Sequence, residues 1–362
     1  MSGNSIRKMR PTALAATAMT NRRLASHAAM RIPTVERSIS IEPHDVQPHY
    51  HPIARDLTVG DIIQKRIADQ EWLKKIESKP IPKFSIEYNK RVIDALKQLA
   101  QQDAAAVVVT KNDSVAGILT ERDYARKVML KRLHSESTTC EQIMTPNPDV
   151  ASMDDSIDDA MKMLFHGNYR HLPVVEHKGE LCPTSGNPLY PQGKKKLKGI
   201  LSINDMMNIL SKLIKPNLIE KANMPSLREF GRLSEKLFVV METDPVRRAV
   251  ELMAKKNVGS LVVVDGHACM TGIVTERDYL RKVILQGKTS NQVMVKDIMT
   301  PDPLCAETEI SVSEALDMLS HGFRHLPLLD ASGKMGPYHV ASGKRCVGML
   351  SSKDIVNYLY QQ

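Results

Sequence analysis

Apolar residues recur at i, i+3, i+4 and i+7 in four widely separated places. These are Val92, Ala95, Leu96, Leu99; Ile157, Ala160, Met161, Leu164; Val246, Ala249, Val250, Met253; and Val312, Ala315, Leu316, Leu319. That spacing puts one apolar stripe on each stretch, so each predicts a helix lying on a core. A β-branched or leucine-rich run follows every time, at Val107–Val109, Leu172–Val175, Leu261–Val264 and Leu326–Leu329. These runs are too short for helices and read as buried strands. A second strand then ends in the phrase Gly-x-x-Ser/Thr-x-x-Asp, which starts at Gly117, Gly199, Gly272 and Gly348 and leads back into helical spacing. The chain therefore predicts one α/β unit, a lead-in strand and then helix, strand, strand, helix, repeated four times.

The repeats fall into two classes. Thr120-Glu121-Arg122-Asp123-Tyr124 returns as Thr275-Glu276-Arg277-Asp278-Tyr279, 155 positions later, and the same interval separates Met144 from Met299 and Leu164 from Leu319. Odd copies match odd and even match even, so the ancestral unit was already a pair. The even copies lengthen the connection between their two strands, at Cys182–Lys198 and Ser332–Arg345, which read as exposed hairpin loops. With Pro216–Pro225 as linker, the expected organisation is an arm at 1–53, a first pair at 54–215, a linker at 216–225 and a second pair at 226–362, the pairs folding as separate units. The first copy departs from the pattern. Val59-Gly60-Asp61-Ile62-Ile63 resembles Lys296-Asp297-Ile298-Met299, but a charged, helix-prone insert containing Trp72 follows it before Pro80.

The phrase itself carries two readings. A hydroxyl followed three residues later by an acid is a capping box at a helix start, which any α/β protein can use. The same geometry suits a ligand. A helix start offers unpaired N–H groups, and an acid in its first turn accepts hydrogen bonds from the vicinal hydroxyls of a ribose. One such phrase is a weak motif; four in the same context favour the ribose clamp, with Thr120 and Asp123, Ser202 and Asp205, Thr275 and Asp278, and Ser351 and Asp354 as the ligand-binding pairs. Arg170-His171 and Arg324-His325 stand just before buried strands of the even copies, where a fork-shaped donor and an imidazole suit phosphate oxygens.

These phrases, with Arg170-His171-Leu172-Pro173 and Arg324-His325-Leu326-Pro327, resemble the cystathionine-β-synthase-type (CBS) domain family from about Ala54 to the C-terminus. The arrangement as two pairs is similar to the regulatory γ subunit of AMP-activated protein kinase and to tandem-CBS proteins of plants and fungi. The resemblance implies four β-α-β-β-α motifs arranged as two pseudo-twofold pairs, and adenosine-containing ligands (AMP, ADP or ATP, and less so S-adenosylmethionine) bound without any required cofactor. It also implies that segments such as Met144-Thr145 and Met299-Thr300, which enter the even copies, form a wall of the base pocket. The expected function is an energy-sensing regulator that changes conformation on nucleotide binding and modulates an unknown partner, with a homodimer formed through the pairs. A scaffold with vacant or structural sites is the alternative.

Charge and composition alter little of this. The net charge of +9 is concentrated in residues 1–35, which hold six basic residues and no acid, so the body is nearly neutral and no nucleic-acid partner is expected. A basic, acid-free, Ala/Ser/Thr-rich start reads as a mitochondrial transit peptide or a disordered cytosolic tail. No apolar run reaches the length of a membrane span. Five cysteines without a Cys-x-x-Cys pair point to free thiols. His44, His49 and His51 sit among prolines and are not read as a metal site. Gly287-Lys288-Thr289 is no phosphate loop, because the motif needs glycine where Lys282 stands. No catalytic signature is found, so a non-enzyme is expected.

Overall fold

The computed structural model describes residues 57–77, 83–177, 180–181, 188–189, 195–214, 224–230, 237–330, 332, 338–340 and 342–361. The arm at 1–53, the His44, His49 and His51 group, residues 216–223 of the expected linker and most of the two long loops lie outside the described residues. All described residues belong to one compact unit, Arg37–Gln362.

The chain starts with α1 (Val59–Glu77). The first repeat is β1 (Ser85–Glu87), α2 (Val92–Gln101), β2 (Ala106–Lys111), β3 (Ser114–Thr120) and α3 (Glu121–Asp123), which runs on as a π-helical turn at Tyr124–Met129. After α4 (Cys140–Ile143) and β4 (Thr145–Pro146) comes the second repeat. It consists of β5 (Ala151–Ser152), α5 (Ile157–His166), β6 (His171–Val175), a hairpin of β7 (Glu180–Leu181) and β8 (Pro188–Leu189), β9 (Leu197–Ser202) and α6 (Ile203–Ile214). The third is β10 (Val239–Met241), α7 (Val246–Lys256), β11 (Ser260–Val264), β12 (Met270–Thr275) and α8 (Glu276–Tyr279), again with a π-helical turn at Leu280–Ile284, and is followed by β13 (Thr300–Pro301). The fourth is β14 (Ala306–Glu307), α9 (Val312–Ser320), β15 (His325–Asp330), β16 (Tyr338–His339), β17 (Arg345–Ser351) and α10 (Ser352–Gln361). Each repeat thus has a β-α-β-β-α frame, as its apolar spacing predicts, with β7 and β8 or β16 inserted between the last two strands of the even repeats.

Within every repeat the first strand runs parallel to the second, and the second antiparallel to the last. The antiparallel ladders slip register at equivalent places: Val109/Thr110, Val174/Val175, Val263/Val264 and Leu328/Leu329. A bulge bends and twists its strand. Its recurrence in all four copies brings each Ser/Thr-x-x-Asp phrase to the sheet end in the same way.

The lead-in segments do not sit on the repeat that follows them in sequence. The first N–H of each repeat's first helix donates to a lead-in carbonyl: Val92 to Thr138, Ile157 to Leu57, Val246 to Val293 and Val312 to Pro225, at 2.9–3.0 Å. The lead-ins donate back, with Cys140 N–H to Lys90, Val59 to Asp155, Val295 to Asp244 and Leu227 to Ile310. Met144-Thr145 and Met299-Thr300, which enter the even copies in sequence, therefore dock on the odd ones, where β4 and β13 extend the sheets of β3 and β12. Val59–Ile63 serves the second repeat, not the first. The exchange has a physical motive. A helix start leaves N–H groups unpaired; Arg91 and Pro245 give no side-chain cap to α2 and α7, and the lead-ins supply the missing acceptors.

The predicted stripes are buried. The α2 stripe and the α7 stripe belong to one core, with Leu119, Leu261 and Val274; the α5 and α9 stripes belong to another, with Leu201, Met206 and Leu350. Helices of the first repeat thus share a core with the third, and those of the second with the fourth. In the second core α6 packs against α9 and α10. A smaller apolar cluster, Val108, Val115, Val150, Val175 and Ile200, joins the sheets of repeats one and two. Each fully buried Leu or Val contributes about 1.5–3 kcal/mol. The two halves therefore stabilise one another through both helical cores.

Candidate functional site

All four phrases form the capping interaction, and the bonds show what remains for a ligand. In each, one carboxylate oxygen, Oδ2, accepts from the backbone N–H and the hydroxyl three residues earlier. For Asp123 the distances are 3.0 and 2.6 Å from Thr120 N and Oγ1; for Asp205, 2.7 and 2.7 Å from Ser202. For Asp278 they are 3.0 and 2.6 Å from Thr275, and for Asp354, 2.7 and 2.6 Å from Ser351. The cap consumes Oδ2 alone. Whether a phrase can also grip a ribose depends on Oδ1.

Three of the four Oδ1 atoms are already paired with a cation of the chain. Asp123 holds Lys127 Nζ at 2.7 Å and also accepts from Thr145 Oγ1 at 3.2 Å. Asp278 holds Lys282 Nζ at 2.8 Å. These lysines are fixed from behind, Lys127 donating to Ile143 O at 2.8 Å and Lys282 to Ile298 O at 2.6 Å. Asp205 pairs with Arg66 of α1. Asp354 Oδ1 has no such partner among the described residues.

Asp354 instead lines a cavity of about 390 Å³, at the lower end of ordinary ligand pockets. All four repeats contribute to it: Arg122 from the first, Asn168 and Arg170 from the second, Phe238 and Val258–Ser260 from the third, and His325, Ser351, Lys353 and Asp354 from the fourth. A Cβ built on Gly259 would stand 3.3 Å from Arg170 Nη1 and 3.4 Å from Arg122 Nη2, so glycine leaves room for both guanidiniums to converge. Arg122 Nη2 is enclosed without a hydrogen-bond partner, and Arg170 makes no ion pair among the described residues. Burial, with Arg122 next to it, pushes Arg170 down to about 10, and Lys353 is lowered by burial and by the same two arginines. The three basic side chains repel one another in one enclosure. An anion placed among them relieves that repulsion.

Behind the cavity lies a charge cluster at the junction of α3 and α8. Arg122 Nε reaches Glu276 at 3.4 Å, and in the reciprocal contact Arg277 Nε reaches Glu121 at 3.1 Å. Arg324 Nη1 also binds Glu121, at 3.1 Å. Both glutamates are buried, which raises their pKa values while the arginines pull them back.

The structure brings the sequence-predicted residues together unevenly. His171 pairs with Ser202 and His325 with Ser351 across antiparallel strands, so each histidine stands beside a hydroxyl of a phrase. Burial and the neighbouring arginines push both histidines down to about 3, so they are neutral at pH 7. Arg170, His325, Ser351 and Asp354 share the cavity. Arg324, the partner of Arg170 in the repeat, is turned to Glu121 instead. Sequence reasoning missed Arg122, Lys353, Glu121 and Glu276. The signal was present for three of them, since Glu121-Arg122 recurs as Glu276-Arg277 between the residues of the phrase.

A family model described as CBS domain matches residues 73–130, 140–182, 227–285 and 295–361. The CBS domain-containing protein CBSCBSPB2 of Arabidopsis thaliana is 28% identical over 262 residues, which is 69% of this chain and 48% of that protein. The CBS domain-containing protein CBSX3, mitochondrial, also of Arabidopsis thaliana, is 38% identical over 109 residues, 29% of this chain and 53% of its own. This chain spans about half the length of the curated relatives it matches. Among solved structures, protein MJ1225 of Methanocaldococcus jannaschii aligns with a TM-score of 0.60 at 15% identity, covering 83% of this chain and 99% of its own. At that identity the likeness speaks for the fold. No helix among the described residues is long and apolar enough to cross a membrane. With four β-α-β-β-α repeats, each carrying the same Ser/Thr-x-x-Asp phrase, and a family model matched along more than half its length, the chain belongs to the CBS domain family.

Proposed function

We propose that this protein is an adenine-nucleotide-binding regulator whose principal site is the cavity at the fourth motif. One observation carries the reading: Asp354 keeps Oδ1 unpaired while facing a cavity that gathers Arg122, Arg170 and Lys353. Ser351 and Asp354 grip the ribose, and the three cations take the phosphates, with neutral His325 donating beside them. A cationic enclosure favours AMP, ADP or ATP over S-adenosylmethionine, which brings positive charges of its own. At Asp123 and Asp278 a ligand has first to displace a lysine, so those phrases rank below the fourth.

The ligand bridges the pair at 54–215, through Arg122 and Arg170, to the pair at 226–362, through Ser351 and Asp354. Such a ligand prefers the arrangement in which both sets of groups converge, which is the differential affinity that a population shift requires. The regulated partner binds one arrangement better than the other, a homodimer forms through the CBS pairs, and the protein turns over no nucleotide. The arm at 1–53 directs it to mitochondria or remains as a cytosolic tail.

Calorimetry with AMP, ATP and S-adenosylmethionine tests the reading. Heat with the phosphorylated ligands supports it. No heat with any of them favours a scaffold whose phrases only cap helices.

A further inference from the structure

The second motif's clamp is closed by the chain itself. Ile63 of α1 packs where Met144 and Met299 pack in the odd motifs: a Cβ on Gly199 would stand 3.0 Å from Ile63 Cδ1, a Cβ on Gly272 3.0 Å from Met299 Sδ, and Gly117 abuts Met144 in the same way. Beyond those methionines the chain turns into β4 and β13, which add a fourth strand to their sheets. Beyond Ile63 it stays helical to Glu77, and among the described residues the sheet of β5, β6 and β9 has three strands. The helix thus takes the edge that a strand occupies elsewhere. Three residues after Ile63, Arg66 lies over the end of β9. Its Nη1 donates to Ile200 O at 2.7 Å, and its Nη2 pairs with Asp205 Oδ1.

We propose that α1 is a built-in plug, with Arg66 standing in for the ligand at the second motif, and that removing Arg66 uncovers a latent site for an adenosine phosphate. The proposal rests on the reading of the phrase as a ribose clamp. The chemistry matches: two hydroxyls of a ribose donate hydrogen bonds to an acceptor pair, and two N–H groups of a planar guanidinium do the same in a fixed fork. Tethering gives the guanidinium a high effective concentration against a free ligand. The insert that makes the first repeat depart from its siblings is, on this account, the device that silences the second.

The test is calorimetric titration of the full chain with AMP, with circular dichroism to check folding. Arg66→Ala is expected to show one more binding event than the wild type, and Asp205→Asn in the Arg66→Ala background to remove it. A folded Arg66→Ala protein that gains no event overturns the proposal. If Arg66→Ala does not fold, Arg66→Gln decides, since it keeps a long stem on α1 but loses the guanidinium fork, and a folded Arg66→Gln protein that gains no AMP event overturns the proposal. Failure of the underlying reading has a different signature, since then Asp354→Asn leaves wild-type AMP binding intact whatever Arg66 does.

Discussion

Arg170 of the second motif and Asp354 of the fourth line one cavity, although Arg170 lies in the first half of the chain and Asp354 close to its end. No intramolecular ion pair occupies Arg170 among the described residues, whereas its repeat partner Arg324 is bound to Glu121. The two arginines therefore separate in what their removal does. Arg170→Ala is expected to weaken AMP by about tenfold or more and adenosine hardly at all, since a charge-assisted bond of about 1.5–3 kcal/mol is lost while the clamp remains. Comparing both ligands on the variant checks this, and equal losses for the two would contradict it.

Arg324→Ala is expected to act on stability instead. Glu121 is buried and binds both Arg277 and Arg324, so Arg324→Ala leaves it one partner. Glu121→Ala removes both contacts, leaving Arg324 without its partner and Arg277 with Asp103 alone, at a cost of up to about 3 kcal/mol. Urea unfolding should rank Glu121→Ala well below Arg324→Ala, and Arg324→Ala below the wild type. AMP affinity in Arg324→Ala should change little.

Acid should destabilise the ligand-free protein through His171 and His325. Both are pushed down to about 3 in the fold against about 6.5 when unfolded. Between those values the unfolded chain binds more protons than the native one, so stability rises with pH there and is lost as pH falls from about 6.5 toward 3. The double variant His171→Gln, His325→Gln should flatten the slope of unfolding free energy against pH in that window by up to about two protons. An unchanged slope would show that the histidines titrate normally in the fold.

The joint cores make a prediction about the halves. Because α2 shares a core with α7, and α5 with α9, residues 57–214 and 224–361 produced as two chains should each expose apolar helix faces. Mixed together, they should co-elute as a one-to-one complex. Two halves that stay monomeric and folded on mixing would contradict the shared cores.

Much of the fold was legible in the sequence, for a local reason. Helix stripes such as Val312, Ala315, Leu316, Leu319 and strand runs such as Leu261–Val264 are short-range patterns, and four copies of each removed most of the ambiguity between helix and strand. The capping bonds of Thr120, Ser202, Thr275 and Ser351 were legible for the same reason, being contacts across three residues. The exchange of lead-ins was not. Val92 donating to Thr138 and Ile157 to Leu57 are long-range pairings, and the order of segments along the chain suggests the opposite partner. Nor does spacing reveal that Lys127, Lys282 and Arg66 neutralise three acids while Asp354 is left open. Lys127 and Lys282 do stand four residues after their acids, a helical neighbour distance, but Arg66 reaches Asp205 from outside its repeat.

The most direct test of the central claim is calorimetric titration of Asp354→Asn with AMP, read beside its unfolding temperature without ligand. Asparagine keeps an acceptor for the cap but loses the charge that helps hold the ribose, and a first-turn acid contributes about 0.3–1 kcal/mol to its helix through the dipole. The account predicts that AMP binding at the cavity is largely abolished, while the midpoint falls by no more than about 2–4 °C. AMP bound by Asp354→Asn with wild-type affinity would show that the fourth phrase is a helix cap and that the cavity is not the nucleotide site.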